Sequence, residues 1–152
     1  MKEQNLEFFH VGITVDSLPT ALEFFVGLLE CAIISERTLK GDYLGRVLGD
    51  EQITGAKIAM LTMKQGPVLE LVEYPVLKEA CEHSINTLGM PHIAHFVSDI
   101  ELFTSRAEEY GAEPIGSKNQ IIPAGPFQGK KIIFFRSNFN FLLEVIERPS
   151  EQ

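Results

Sequence analysis

A strand pattern with an embedded histidine occurs twice in this chain, and this repetition constrains the fold more than any other feature. The first copy runs from Phe8 to Asp16 and carries His10 in an otherwise apolar stretch. The second runs from Met90 to Asp99 and carries His92, 82 residues after His10. In both copies β-branched and aromatic residues favour a strand, and an aspartate precedes a helix pattern. The repetition predicts one structural module built twice.

The other elements follow the same order in both halves. The first half is expected to contain one helix and then three strands, over residues 18–29, 31–35, 58–63 and 68–74, with a glycine-rich, charged strand-and-loop region over 36–50. The second half is expected to contain one helix and then strands around residues 100–110, 114–116, 117–122, 131–136 and 141–147. Apart from the additional short strand at 114–116, each half follows a βαβββ order, which indicates an internal duplication.

The length of 152 residues fits a single domain, made of modules over about residues 6–75 and 90–148. Only the polar connection over 76–90 interrupts the pattern. The net charge of −8 argues against a general nucleic-acid binder, although a local basic patch could still hold a small anion. No signal peptide or membrane span is expected, and Cys31 and Cys81 are too few for a disulfide framework, so we expect a cytoplasmic protein without nucleic-acid or membrane partners.

The last strand of each half carries two glutamates in the same pattern. Glu70 and Glu73 in the first half correspond to Glu144 and Glu147 in the second. Side chains alternate faces along a strand, so the two glutamates of each strand point opposite ways. The later glutamate lies at the strand end and is expected to be solvated. The earlier one lies between apolar residues, where an unpaired carboxylate is costly to bury.

One histidine and one glutamate from each half form a candidate site: His10, Glu70, His92 and Glu144. Two imidazoles and two carboxylates suit a divalent metal ion with open positions for water or substrate. A single strand histidine is more often a hydrogen-bonded core residue, and a strand glutamate more often lies on a solvated face. The repetition of the pair at the same elements of both halves favours the metal site.

The remaining chemically active side chains lack this support. His83 and His95 are interpreted as surface or structural residues, and His95 should face away from His92 on a regular strand. Cys31 follows a helix end and is expected to be a buried core residue and not a nucleophile. Four basic residues could receive an anionic substrate, although surface solvation is the simpler role for Arg37, Arg46, Lys130 and Arg136.

The segments FFHVGITVDSL, VLELVEY, PHIAHFV and FLLEVIE resemble the vicinal oxygen chelate superfamily, which includes glyoxalase I, methylmalonyl-CoA epimerase, extradiol dioxygenases and the bleomycin-resistance fold. The resemblance covers about residues 6–148. It implies an α+β fold of two βαβββ modules that form a curved mixed sheet around a metal-binding cavity, in a protein that is a homodimer and acts on a small-molecule substrate. The modules could pair within one chain or between chains.

The ligand pattern is most similar to that of glyoxalase I, which uses His, Glu, His and Glu. This implies one divalent ion, zinc or nickel first and cobalt, manganese or iron as alternatives, held by His10, Glu70, His92 and Glu144. Epimerases of the superfamily have a glutamine at the second position, and the dioxygenases use two histidines and one glutamate. The turn Ser137 to Asn140 departs from the Asp-Pro-Asp-Gly type common in the superfamily.

The resemblance implies a glyoxalase-like lyase or isomerase that abstracts a proton next to a carbonyl and passes through a metal-stabilised enolate. Glu144 is the first candidate for the catalytic base and Glu70 the second. No glutathione-binding signature is recognisable, so the substrate stays open. The alternatives are an extradiol-type dioxygenase and a non-catalytic small-molecule binding or resistance protein of the same fold.

Overall fold

The computed structural model describes residues 6–78 and 84–148 of the chain. The chain divides into two compact units, Met1–Lys78 and Glu79–Gln152. Each unit is a βαβββ module with its own four-stranded mixed sheet. The predicted α+β class and the doubled module are therefore confirmed.

In the first unit, strand β1 (His10–Thr14) leads into a helix that is α-helical over Leu18–Leu22 (α1) and π-helical over Glu23–Leu28. Three strands and one short helix follow: β2 (Ala32–Lys40), α2 (Tyr43–Leu48), β3 (Gly55–Thr62) and β4 (Val68–Glu73). The sheet order is β1-β4-β3-β2. The β1–β4 pair is parallel and the other two pairs are antiparallel.

The second unit repeats this order with β5 (Ile93–Val97), α3 (Ile100–Glu109), β6 (Glu113–Ile121), β7 (Lys131–Arg136) and β8 (Leu142–Glu147). Its sheet order is β5-β8-β7-β6. The β5–β8 pair is again parallel, and its neighbours are antiparallel. In both units the first strand therefore lies at the sheet edge beside the last strand.

Local sequence sets the ends of the first helix. The Ser17 side chain accepts a hydrogen bond from the Thr20 backbone N–H and so caps the helix, and Pro19 occupies its first turn. After the π-helical segment, Glu30 takes a left-handed conformation with φ of 55°. That conformation turns the chain out of the helix and into β2.

Two regions differ from the sequence-based expectation. The region over 36–50 is more ordered than expected, because β2 extends to Lys40 and a short helix covers Tyr43–Leu48. Residues 113–121 form one strand instead of two, with an irregular register between Ile115 and Gln120. Of the glycines in these regions, Gly116 lies inside a strand, where pairing with β7 overrides the local glycine signal.

Both sheets have one face covered by a helix. In the first unit, the helix after β1 buries Phe24, Phe25 and Leu28, and α1 packs against β3 and β4. In the second, α3 packs against β6 and β8, and Phe103 meets the fully buried Phe135 edge to face. No helix in the described ranges is both long and apolar enough to cross a membrane.

Candidate metal centre

His10 and Glu70 form a close pair on the first sheet. His10 begins β1, and Glu70 lies in the middle of the adjacent parallel strand β4. The Nε2 atom of His10 is 3.2 Å from Oε2 of Glu70. The Nδ1 atom of His10 is buried and has no hydrogen-bond partner among the described residues. Of the two ring nitrogens of His10, Nε2 is therefore the one that contacts the Glu70 carboxylate.

His92 and Glu144 form the corresponding pair on the second sheet. His92 immediately precedes β5 instead of lying inside it, and Glu144 lies in the middle of β8. The Nε2 atom of His92 is 3.0 Å from Oε2 of Glu144. An edge-to-face contact with Phe134, at 5.4 Å between ring centroids, packs the imidazole. The same nitrogen and carboxylate oxygen therefore meet in both modules.

Small residues make room for both carboxylates. In the parallel pairs, Gly12 lies opposite Glu70 and Ala94 lies opposite Glu144. Each small residue lies two positions after the histidine, so it shares the histidine's face of the strand. The carboxylate can pass over this position and reach the imidazole. Sequence reasoning missed this feature, although the Gly and Ala at matched positions signal it.

The two glutamates lie in apolar surroundings. The side chains of Glu70 and Glu144 are only 18% and 17% exposed. The Glu70 face of the first sheet carries a buried cluster of Ala56, Ile58, Met60 and Val72, against which Leu39, Val68 and Tyr74 pack. A carboxylate in such surroundings needs a partner of positive charge or a hydrogen-bond donor.

Two further polar groups lie on the Glu70 face. The Nη2 atom of Arg37 is 3.9 Å from Oε1 of Glu70, the oxygen that does not meet His10. Burial raises the pKa of Tyr74, and the nearby charge of Glu70 raises it further. Arg37 was assigned a solvated surface role from the sequence. The side chain is 53% exposed, as that role requires, and its guanidinium also lies beside a candidate ligand.

Glu73 departs from the sequence-based prediction that its carboxylate is solvated. Its Oε2 accepts the backbone N–H of Leu18 at 2.7 Å, and its Oε1 accepts a hydrogen bond from Nζ of Lys57 at 2.6 Å. These two bonds lower the pKa of Glu73. The carboxylate therefore joins the end of β4 to the start of α1. That prediction was wrong because the helix start that Glu73 binds lies 55 residues earlier in the chain.

The remaining candidates lie outside the pairs. His95 is opposite Val145, on the other side of β5 from Ala94, and burial lowers its pKa. Its Nδ1 atom is buried without a hydrogen-bond partner in the described residues. Cys31 is buried, as predicted, and burial raises its pKa to about 11. His83 and Cys81 lie outside the described residues.

The donor atoms present fit a divalent metal ion. Each module directs one imidazole nitrogen and one carboxylate oxygen to the same point, and both are ligand types that zinc and related ions accept. Within neither unit does a third His, Cys, Asp or Glu side chain join the pair, as far as residues 6–78 and 84–148 show. Each module therefore supplies two donor side chains.

Comparisons with known proteins agree with this architecture. Residues 9–134 match the family model described as the glyoxalase/bleomycin resistance protein/dioxygenase superfamily. The chain is 32% identical over 149 residues to a 2-epi-5-epi-valiolone epimerase from Actinomyces sp, covering 93% of this chain and 79% of that protein.

Solved structures show the same fold. A glyoxalase family protein from Bacillus cereus is similar with a TM-score of 0.75 and 25% identity, over 96% of both chains. A fosfomycin resistance protein from Listeria monocytogenes, complexed with Mn(II) and sulfate, is similar with a TM-score of 0.59 and 16% identity. The match covers 97% of this chain and 96% of that one, and at this identity it supports the fold alone.

Proposed function

Because this chain belongs to the glyoxalase/bleomycin resistance protein/dioxygenase superfamily, we propose that it is a metal-dependent isomerase or lyase that removes a proton next to a carbonyl. The observation that carries the proposal is the doubled pair, His10 with Glu70 and His92 with Glu144, in which Nε2 meets Oε2 at 3.2 and 3.0 Å. The likeness to an epimerase favours an isomerase.

The four side chains of the two pairs are the proposed ligands of one divalent ion, within one chain or between two copies in a homodimer. When bound, the ion supplies Lewis acidity toward substrate oxygens. Zinc and nickel are the first candidates, and cobalt, manganese and iron are the alternatives. A positive ion would also offset the cost of placing Glu70 and Glu144 in apolar surroundings.

Glu144 is the proposed base and Glu70 the second candidate. A carboxylate oxygen takes the proton from the carbon beside the carbonyl, and the electron pair of that C–H bond moves toward the carbonyl oxygen. Return of the proton to the opposite face of the same carbon gives an epimer. Where that carbon also carries a hydroxyl group, return of the proton to the former carbonyl carbon, with transfer of the hydroxyl proton to the former carbonyl oxygen, gives an isomer. No oxidant or further reactant is needed.

Low exposure of both carboxylates supports this chemistry. Neither Glu70 nor Glu144 is more than 18% exposed, so few water molecules compete for either oxygen. Aromatic and aliphatic side chains such as Phe134 and Val72 border them on their own sheets. A carbanion-like transition state is thereby kept from bulk water.

Deuterium exchange tests the proposed reaction directly. Metal-loaded protein is incubated in D₂O with a methylglyoxal hemithioacetal, a 2-methyl-branched acyl thioester and 2-epi-5-epi-valiolone. We expect deuterium at the carbon next to the carbonyl of at least one compound. Glu144→Gln should abolish the exchange, whereas Glu147→Gln, on the same strand, should retain it. Oxygen uptake with a catechol would favour the dioxygenase alternative, and tight binding without exchange would favour the binding protein.

A further inference from the structure

We infer that Arg37 is a positioning residue, which orients the Glu70 carboxylate so that one oxygen stays directed at the proposed ion. The inference rests on the proposed metal site and deepens it. Arg37 is on β2, two strands away from Glu70 on β4, and its sequence pattern indicates surface solvation or contact with an anionic substrate, not a role toward Glu70.

The two oxygens of Glu70 have different partners. Oε2 lies 3.2 Å from Nε2 of His10, and Oε1 lies 3.9 Å from Nη2 of Arg37. The guanidinium and the imidazole therefore approach the carboxylate from its two ends. At 3.9 Å the guanidinium attracts Oε1 as an ion pair without a hydrogen bond, and this attraction favours the carboxylate orientation in which Oε2 stays directed at His10.

The strand register explains how Arg37 reaches this position. Arg37 lies opposite Ile58 on β3, and Ile58 lies opposite Val72 on β4. Val72 is two residues after Glu70, so it shares the face of Glu70. Arg37 therefore extends over the apolar Glu70 face toward the carboxylate. Among the three paired residues Arg37, Ile58 and Val72, it is the charged one.

The second module lacks this feature. By the same register, Gln120 lies opposite Ile132 and Ile132 lies opposite Ile146, two residues after Glu144. Gln120 thus occupies the position of Arg37 and is neutral. In the described part of the second unit, no Lys or Arg forms an ion pair with Glu144. Glu70 therefore has a cation beside its second oxygen and Glu144 does not, which agrees with Glu144 as the base.

Two opposing effects decide the sign of the expected result. A cation near the site repels a divalent ion, and because the Arg37 side chain is 53% exposed, solvent screens both that repulsion and the attraction to Glu70. Orientation of the Glu70 carboxylate, by contrast, affects the position of the donor atom Oε2 directly. Loss of groups that hold metal ligands typically weakens metal affinity by about 10–100-fold. We therefore expect orientation to outweigh repulsion.

The test measures zinc and manganese affinity of the full chain by competition with a chromophoric chelator. Arg37→Ala should weaken binding by about tenfold or more, and Arg37→Lys, which keeps the charge, should recover part of the loss. The matched control Gln120→Ala should bind as the unaltered chain does. Thermal unfolding of the metal-free variants should coincide with that of the unaltered chain, which separates positioning from a folding defect.

Unchanged or tighter metal binding by Arg37→Ala would overturn the inference, and so would a Gln120→Ala loss equal to that of Arg37→Ala. His10→Ala, measured alongside, separates this failure from failure of the proposed function. If His10→Ala loses metal and Arg37→Ala does not, the metal site stands without a role for Arg37. If His10→Ala binds normally, the metal site itself is wrong.

Discussion

Gly12 faces Glu70 across the parallel β1–β4 pair, and a β-carbon added at Gly12 would lie 3.8 Å from Oε2 of Glu70. That distance is an ordinary contact, and the second module has Ala94 at the matching position. We expect Gly12→Ala to keep metal affinity and to raise the free energy of unfolding by about 0.5–1 kcal/mol, because glycine is unfavourable inside a strand.

A branched residue at the same position should act differently. Gly12→Val places methyl groups closer to Oε2 of Glu70 than the alanine β-carbon would stand, and should displace the carboxylate from His10. We expect the valine variant to lose metal affinity while the alanine variant keeps it, as measured by chelator competition. Equal affinity in both would contradict the role assigned to the Gly12–Glu70 contact.

Glu73 should stabilise the first module through its bond to the Leu18 N–H. Glu73→Ala is expected to lower the free energy of unfolding at pH 7 by roughly 1 kcal/mol, as for other helix N-terminal caps. The matched variant Glu147→Ala, whose carboxylate has no such bond in the described part of the second unit, should change it less. Denaturant unfolding of both variants checks this.

The pKa of Glu73 also predicts how the loss of stability in Glu73→Ala depends on pH. The pKa of Glu73 is lowered below its ordinary 4.5 in the folded chain, so the unfolded chain binds more protons at acid pH. The stabilisation is therefore complete above pH 4.5 and is lost as the pH falls further. The difference in unfolding free energy between Glu73→Ala and the unaltered chain should therefore become smaller below pH 4.5. A difference that grows on acidification would contradict the ionised cap.

His95 should affect acid stability without affecting the metal. Burial lowers its pKa from the ordinary 6.5, so stability from neutral His95 is complete above pH 6.5 and is lost below it. We expect His95→Gln to retain metal affinity and to lose less unfolding free energy between pH 7.5 and 5.5 than the unaltered chain does. Loss of metal by this variant would show that His95 acts as a ligand.

Cys31 should resist thiol reagents in the folded state. It is buried, and its pKa of about 11 leaves little thiolate at neutral pH. In a Cys81→Ser background, we expect iodoacetamide to modify Cys31 only when denaturant is added, as followed by mass spectrometry. Rapid modification of the native protein would contradict its buried position.

The order of helices and strands along the chain and the ligand candidates could be predicted from the sequence, because they depend on local patterns that occur twice. His10 and His92, and Glu70 and Glu144, keep the same place in their elements, so the duplication itself identifies them. The strand ends were less predictable. His92 falls just before β5 because pairing with β8 starts only at Ile93.

Features that depend on register between distant segments could not be predicted. Arg37 reaches Glu70 because β2, β3 and β4 pair in one particular alignment, and Glu73 reaches Leu18 because β4 pairs with β1. Local sequence gives both residues the pattern of solvated charges. The π-helical segment Glu23–Leu28 is likewise invisible in a hydrophobic pattern that an α-helix would also satisfy.

Metal stoichiometry tests the central claim most directly. Protein purified without chelator is analysed by inductively coupled plasma mass spectrometry, alone and as the His10→Ala, His92→Ala and His95→Ala variants. We predict one divalent ion per chain, lost on substitution of either His10 or His92 and kept on substitution of His95. Two ions per chain that are lost independently, or one ion that survives loss of His10 or His92, would contradict a single site with ligands from both modules.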